Sequence, residues 1–202
     1  EGTGSILNDG SEFLNDGSVT NTSWVQGIAG AGLQFNGSTS TVTIPDIEFH
    51  RLNKGSVSFW MKTSATPTSS MFIASKVISD QRGGWILSIG ADGRLEGKVC
   101  GTFTYPSYKY ILTGPVVNDS SWHHVAITYE NANSANLFVD GLKVASKGPI
   151  DYKSASLCNE PIYMGTSNIA DFAPYSGALD EFQFFGFPLT DTEVRQIYNN
   201  SN

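Results

Sequence analysis

The sequence predicts an all-β protein, a sandwich of two antiparallel β-sheets with one short helix at the C-terminal end. Apolar stretches of strand length recur along the chain and are separated by Gly, Asn and Asp residues typical of turns. Only one stretch, near the end, carries helix-start signals. With 202 residues and 40% hydrophobic content, the chain can bury the facing sides of two sheets. We expect residues 1–202 to form a single domain.

Each predicted strand is a short run rich in apolar and β-branched residues. The segments cover residues 40–46, 56–63, 70–77, 84–93, 94–101, 122–129, 161–167 and 177–186. Asp92-Gly93 and Asp140-Gly141 each separate two neighbouring runs. Because Asp-Gly tolerates the positive φ angles of a type I′ turn, each dipeptide predicts a two-residue hairpin.

The predicted helix lies in "PLTDTEVRQIYNN", residues 188–200. Thr190 is a good N-cap, and Glu193 three residues later completes a capping box. Leu189 and Val194 occupy the two positions of a hydrophobic staple. These signals place the start of the helix immediately after Thr190.

The overall charge excludes two classes of partner. A net charge of −7 and a pI near 4.8 disfavour nucleic acids and anionic membranes, which would repel the chain.

No apolar run approaches the roughly 18 residues that a membrane span needs. The opening "EGTGSILNDG" lacks the charged and apolar regions of a secretion signal. We therefore expect a mature chain or a domain excised from a longer secreted or surface protein.

The two cysteines, Cys100 and Cys158, form no CxxC motif, so the sequence does not favour a zinc or thioredoxin-like site. A disulfide between them would suit an extracellular protein. Two buried free thiols are the alternative.

Two adjacent histidines, His123 and His124, invite a metal or catalytic interpretation. Successive side chains of a strand point to opposite faces, so these two cannot chelate one ion. We interpret them as structural residues.

Asp180 is placed unusually in "GALDEFQFFG". Strand alternation predicts that it shares a face with Phe182 and Phe184. A buried carboxylate requires a cation, a basic partner or several backbone N–H donors, and no Lys or Arg lies within ten residues. Oxygen ligands without His or Cys would select Ca²⁺.

A second acidic segment, "LNDGSEFLNDGS" at residues 7–18, repeats Asn-Asp-Gly and brings Asp9 and Asp16 onto one loop. It does not have the spacing of an EF-hand. Either it completes a calcium site with Asp180, or it forms two ordinary turns.

Nearly the whole chain resembles a laminin-G-like jelly roll of the concanavalin A-like lectin/glucanase superfamily. The segments that carry the resemblance keep the family's order: "DGSEFLNDGS" (9–18), "GIAGAGLQFNGSTSTVTIP" (27–45), "SVSFWMK" (56–62), "WHHVAITY" (122–129) and "GALDEFQFFGFPLTDTEVRQIY" (177–198).

The resemblance implies a structural calcium ion that fixes the N-terminal loop to the last strand. Asp9 and Asp180 would donate carboxylates, and backbone carbonyls around Asn15 and Asp16 would complete the site. The chain departs from the family pattern at Glu12-Phe13-Leu14, where the family has Gly-Asn-Gly.

The superfamily includes glucanases, whose strand motif E-x-D-x-x-E places two carboxyl groups on one face. The sequence contains no such motif, so we expect no enzymatic activity.

We expect a carbohydrate-binding module, because sugars bind aromatic rings through their apolar faces while polar groups fix their orientation. The candidate ligand-binding residues come from two loops and one strand: Tyr105, Tyr108 and Tyr110; Asp171, Phe172 and Tyr175; and Trp85. The alternative for each is packing inside the sandwich. A glycan or polysaccharide is thus the expected partner of a monomeric domain, and the alternative function is an extracellular protein-interaction or adhesion module.

Overall fold

The structure, a computed structural model, describes residues 2–77, 83–100, 110–150, 158–166 and 172–201, except for the side chain of Cys100. Fifteen strands and one α-helix lie in these ranges. The strands are β1 (Ile6–Leu7), β2 (Gly17–Thr20), β3 (Ser23–Gln26), β4 (Ala31–Asn36), β5 (Thr41–Ile44), β6 (Lys54–Lys62), β7 (Met71–Val77), β8 (Gly84–Ile89), β9 (Arg94–Cys100), β10 (Tyr110–Val116), β11 (Trp122–Glu130), β12 (Ala135–Val139), β13 (Leu142–Lys147), β14 (Ile162–Met164) and β15 (Ser176–Phe185). A 3₁₀ turn covers Glu48–Arg51, and helix α1 covers Asp191–Asn200.

The strands form two antiparallel sheets, which confirms the predicted sandwich. One sheet has eight strands in the order β1-β2-β5-β14-β7-β8-β9-β10. The other has seven in the order β13-β12-β11-β6-β15-β4-β3. Two strands from the C-terminal part of the chain, β14 and β15, therefore lie inside their sheets, each between two strands that come much earlier in the sequence.

The core lies between the two sheets and is built by alternation along each strand. In β6, Val57, Phe59 and Met61 point inward and are almost fully buried. Trp85 and Leu87 of β8 face them from the other sheet as part of the same buried cluster. This burial of large apolar side chains supplies the main driving force for the fold.

Helix α1 begins as predicted. The Thr190 side chain accepts a hydrogen bond from the backbone N–H of Glu193, and the Glu193 carboxylate accepts one from the backbone N–H of Thr190. The helix covers the outer face of the seven-stranded sheet, where Val194 packs with Ala126, Phe138 and Leu189. Among the helices that the structure describes, none is long and apolar enough to cross a membrane.

The two Asp-Gly dipeptides behave differently. Asp140 and Gly141 form a two-residue hairpin between β12 and β13, with φ angles of 51° and 74°, as predicted. The prediction for Asp92-Gly93 was wrong, since residues 90–93 form a longer loop. There the backbone N–H of Gly90 donates to the carbonyl of Arg94, and the Asp92 carboxylate accepts from the backbone N–H of Arg94.

Strand β15 contains a β-bulge that corrects the predicted position of Asp180. Asp180 pairs with Trp60 but Gln183 pairs with Ser58, so β15 has one extra residue, and Glu181 adopts a positive φ of 51°. The bulge reverses the alternation. Asp180 consequently lies on the outer side of the sheet, while Phe182 and Phe184 pack against the core.

Candidate functional site

The outer face of the eight-stranded sheet is lined by a row of side chains from neighbouring strands. The pairings Thr43–Tyr163, Tyr163–Ser75, Ser75–Ile86 and Ile86–Lys98 place these residues side by side. Paired residues of antiparallel strands point to the same side, so one surface carries apolar, hydroxyl and cationic groups together. We call this surface the aromatic–polar face, and it comprises Phe72, Ser75, Ile86, Glu96, Lys98, Tyr163 and Phe172.

Two aromatic rings of this face are only partly buried. Tyr163 and Phe172 both pack against a buried apolar cluster formed by Phe72, Val77 and Ile86. The Phe172 ring meets the Phe72 ring edge to face, with 6.1 Å between the centroids. Burial raises the pKa of Tyr163 above its ordinary value. Each ring is fixed on one side and keeps part of its surface exposed to solvent.

A charged pair lies beside these rings. The ammonium group of Lys98 lies 2.9 Å from a carboxylate oxygen of Glu96, and their side chains are 6% and 24% exposed. The same ammonium group lies 4.8 Å from the centroid of the Phe172 ring, which is a cation–π distance. Because Lys98 is held by two neighbours, the pair presents ordered polar atoms next to an aromatic ring.

The hydroxyl of Ser75 adds an unsatisfied group to this face. Ser75 is fully buried, and within the part of the chain that the structure describes its Oγ has no hydrogen-bond partner. A buried hydroxyl without a partner is unfavourable, so this position has unused hydrogen-bonding capacity.

Three of the predicted ligand-binding aromatic residues belong to the core or its edge. Trp85 and Tyr175 are 0% exposed, which corrects the expectation that they face a surface. The Tyr175 hydroxyl lies 3.2 Å from the carbonyl oxygens of Lys62 and Ala178, and its burial raises its pKa. Tyr110, at the start of β10, is partly buried and packs against the core. Apolar packing thus explains these three positions.

The other predicted ligand-binding residues divide between two groups. Phe172 belongs to the aromatic–polar face. Tyr105, Tyr108 and Asp171 lie outside the described residues.

The N-terminal acidic loop is closed by its own hydrogen bonds. The Asp9 carboxylate accepts from the backbone N–H groups of Ser11 and Asn15, each at 2.9 Å. The hydrogen bond from Ser11 is the main reason that the pKa of Asp9 lies below its usual value. The backbone N–H of Asp9 in turn donates to the Asp16 carboxylate at 2.8 Å. The Asn15 side chain donates to the carbonyl of Pro45 at 2.8 Å, which ties the loop to the end of β5.

Asp180 occupies a glycine-lined recess formed by the turn between β3 and β4. One carboxylate oxygen accepts from the backbone N–H groups of Ile28 and Ala29 at 2.8 and 3.1 Å, and the other accepts from that of Glu181 at 2.9 Å. A Cβ atom on Gly27 would lie 2.1 Å from the first of these oxygens. Glycine is therefore required at position 27 so that the carboxylate can approach the backbone this closely.

The family of this chain follows from a family-model match over residues 36–195, described as "Concanavalin A-like lectin/glucanases superfamily". The chain belongs to this superfamily. A search of curated proteins gave no match.

Solved structures share the fold at low identity. The binding domain of Paraclostridial Mosquitocidal Protein 1 is 18% identical, with a TM-score of 0.73. Trypanosoma rangeli sialidase, in complex with the inhibitor DANA, is 17% identical with a TM-score of 0.74. Domain 4 of the extracellular arabinanase AbnA from Geobacillus stearothermophilus, in complex with arabinotriose, is 19% identical with a TM-score of 0.74. These matches cover 96%, 98% and 95% of this chain, but 49%, 31% and 92% of the respective neighbours.

The carboxylates of the calcium site that the superfamily resemblance implies are bound to backbone N–H groups in this structure. Asp9 accepts hydrogen bonds from Ser11 and Asn15, and Asp180 accepts one from Ile28. Among the described residues, no group of three or more His, Cys, Asp or Glu side chains is placed to hold a metal ion. The site implied by the resemblance has two carboxylates, from Asp9 and Asp180, and otherwise backbone carbonyls around Asn15 and Asp16. Calcium binding stays a prediction.

The cysteine prediction differs from the structure. Cys158 is a free thiol with 1% exposure, and burial raises its pKa. The structure therefore agrees with the buried-thiol alternative at position 158 rather than with a Cys100–Cys158 bridge. The side chain of Cys100 lies outside the described part.

Sequence analysis missed Glu96, Lys98 and Tyr163. Glu96 and Lys98 lie two residues apart in "RLEGKV", so a strand places both on one face, which is a signal that was available. Their position beside Phe172 depends on the packing of a distant loop. No local sequence pattern predicts that Glu96 and Lys98 lie beside Phe172.

Proposed function

We propose that this domain is a non-catalytic, lectin-like module that binds a glycan or polysaccharide on the aromatic–polar face. The observation that carries the proposal is the placement of two partly exposed rings, Tyr163 and Phe172, on one buried apolar cluster, with the Lys98–Glu96 pair against the Phe172 ring. Sugars stack their C–H faces on aromatic rings and direct their hydroxyls to ordered polar groups. This face offers both kinds of contact.

The structural neighbours support a binding role. Domain 4 of AbnA was solved with arabinotriose, and the mosquitocidal-protein domain is described as a binding domain. At 18% and 19% identity these likenesses establish the fold alone, so the ligand of this chain is inferred from its own side chains. The arabinanase is extracellular, which supports our proposal that this domain also works outside the cell.

The charges on the aromatic–polar face support a role without catalysis. Retaining glycosidases use two carboxyl groups about 5 Å apart, one of them free to act as an acid. Here the Glu96 carboxylate is paired with Lys98 at 2.9 Å. This face therefore pairs its carboxylate with an ammonium group instead of with a second carboxyl group.

The test is a glycan and polysaccharide array followed by calorimetric titration of the best ligand. Tyr163→Ala should weaken binding by at least tenfold, because the ring is removed. Tyr163→Phe keeps the ring and should lose less affinity than Tyr163→Ala. Phe187→Ala, which removes an exposed ring outside this face, is the matched control and should bind like the parent chain.

Two results would contradict the proposal. One is an array without any binding, measured with domain shown to be folded by circular dichroism. The other is specific binding that Tyr163→Ala leaves unchanged, which would move the site away from this face.

A further inference from the structure

A second surface, separate from the aromatic–polar face, exposes large apolar side chains at the N-terminal loop and the end of β15. Leu14 is 75% exposed, Phe13 48% and Leu52 36%. The partly buried Phe49 ring stacks on Phe13, and Phe49 and Leu52 both lie next to Gly186. We call Phe13, Leu14, Phe49 and Leu52 the rim patch. Exposed apolar side chains that are grouped in this way mark interaction sites more often than scattered ones do.

The rim patch is an ordered structure. The Phe13 ring stacks on the Phe49 ring with 4.6 Å between centroids, and Phe49 meets Phe184 edge to face at 5.8 Å. A Cβ atom on Gly186 would lie 2.6 Å from Phe49 and 3.0 Å from Leu52, so both side chains pack against the backbone at the end of β15. Phe184 packs against the core, so the rings are fixed to the sandwich.

Leu14 is held in an unfavourable conformation. Its φ is +48°, in the left-handed region that costs a non-glycine residue about 1 kcal/mol. In the family resemblance described above, Phe13 and Leu14 stand where the pattern has asparagine and glycine, so both apolar side chains depart from that pattern. An exposed leucine in a strained turn contributes little to folding, which favours a role in contact.

The charges beside the rim patch define its partner. Glu12, Asp16 and Glu48 are exposed neighbours in sequence. Arg51 is paired with Asp46, which leaves Lys54 as the exposed cation in this part of the described chain. The patch therefore combines an apolar centre with an acidic border. A second copy would bring like charges together, because the whole chain carries −7.

We propose that the rim patch docks a protein segment that combines apolar side chains with Lys or Arg residues. The apolar side chains would cover Phe13 and Leu14, and the cations would meet the carboxylates of Glu12, Asp16 and Glu48. Opposite charges at the border speed association and select the partner. This site does not depend on the proposed glycan site, since the two share no residue.

The experiment uses three synthetic 12-residue peptides, titrated into the full chain and followed by calorimetry. One alternates Lys and Leu, one alternates Glu and Leu, and one alternates Lys and Ser. Each is tested against the parent chain, Leu14→Gly, Phe13→Ser and the control Leu142→Ser, which removes an exposed leucine on β13. Leu14→Gly suits the positive φ and should fold normally.

The proposal expects the Lys/Leu peptide to bind at least tenfold more tightly than the other two. That binding should fall at least fivefold in Leu14→Gly and Phe13→Ser and stay unchanged in Leu142→Ser. Equal binding of the Glu/Leu or Lys/Ser peptide, equal losses in all variants, or no binding would overturn it. So would a dimer in sedimentation that Leu14→Gly disrupts, because the occupant would then be a second copy.

Discussion

The outer faces of the two sheets differ in how far their aromatic side chains are covered. On the seven-stranded sheet, helix α1 covers the face: the Tyr198 ring stacks on Trp60 with 5.5 Å between centroids, and His124 meets Trp60 edge to face at the same distance. On the eight-stranded sheet, the described residues contain no covering helix, and Tyr163 and Phe172 remain partly exposed beside the Lys98–Glu96 pair.

This contrast indicates that one outer face contributes to stability and the other is available for ligand binding. Aromatic side chains that are enclosed on all sides contribute to the free energy of folding. Rings that are fixed on one side and exposed on the other keep surface available for a ligand. Substitutions on the helix-covered face should therefore act on stability, and those on the aromatic–polar face should act on binding.

The largest effect is expected from Trp60→Ala. Trp60 is 2% exposed and lies under α1, so its truncation should lower the free energy of unfolding by about 3–5 kcal/mol. Urea denaturation measures the loss. Phe172→Ala is the matched truncation on the other face, and a loss as large as that of Trp60→Ala would remove the contrast.

The next effect concerns His124 and acid. Burial lowers the pKa of His124 to about 4, and in the described residues its ring nitrogens have no hydrogen-bond partner. The unfolded chain binds this proton near pH 6.5, so the folded state loses stability as the pH falls from 6.5 to about 4, by roughly 3 kcal/mol. His124→Phe keeps a ring under α1 and should remove this part of the acid dependence.

The measurement compares denaturation midpoints of the parent chain and His124→Phe at pH 7, 5.5 and 4. His50, whose pKa burial also lowers to about 4, contributes equally to both chains and cancels in the difference. Parallel curves for the two chains would show that His124 does not titrate in this range.

A smaller effect is expected at Asp180, on the outer side of the seven-stranded sheet. Asp180→Ala leaves three backbone N–H groups without their acceptor and should destabilise the fold by about 1–3 kcal/mol. The loss should be the same in calcium and in EDTA, because N–H donors hold the carboxylate. A melting temperature of the parent chain that rises with calcium and falls with EDTA would instead support the calcium site predicted from the family resemblance.

The smallest stability effect should come from Phe172→Ala, about 1 kcal/mol, because the ring is only partly buried. Its effect on glycan binding should be tenfold or more. Calorimetric titration and urea denaturation of the same preparation give both values. A variant that binds normally would remove Phe172 from the site.

The sequence predicted those features that local residues control. The capping box at Thr190 and Glu193 and the Asp140-Gly141 hairpin depend on a few adjacent residues, and both are confirmed. The prediction that Asp180 shares a face with Phe182 and Phe184 was wrong, because strand alternation assumes a strand without a bulge. The bulge after Asp180 places Glu181 at a positive φ, which the residue type does not predict.

The candidate site was harder to predict for a different reason. Trp85 and Tyr175 are residue types that often bind sugars. In this structure strand alternation directs Trp85 inward, and the packing of its loop directs Tyr175 inward. Lys98 and Phe172 are far apart in the sequence and come together only through tertiary packing. Such contacts between distant parts of the chain leave no pattern in a single sequence.

The strand order has a consequence for how the chain reaches this structure. In the seven-stranded sheet β15 joins β4 to β6, and in the eight-stranded sheet β14 joins β5 to β7. Until residues 162–185 are available, each sheet exists as two unconnected parts with open edges. Such long-range pairing slows folding and exposes edges to aggregation. On a ribosome, we expect both sheets to close only after nearly the whole domain has been synthesised.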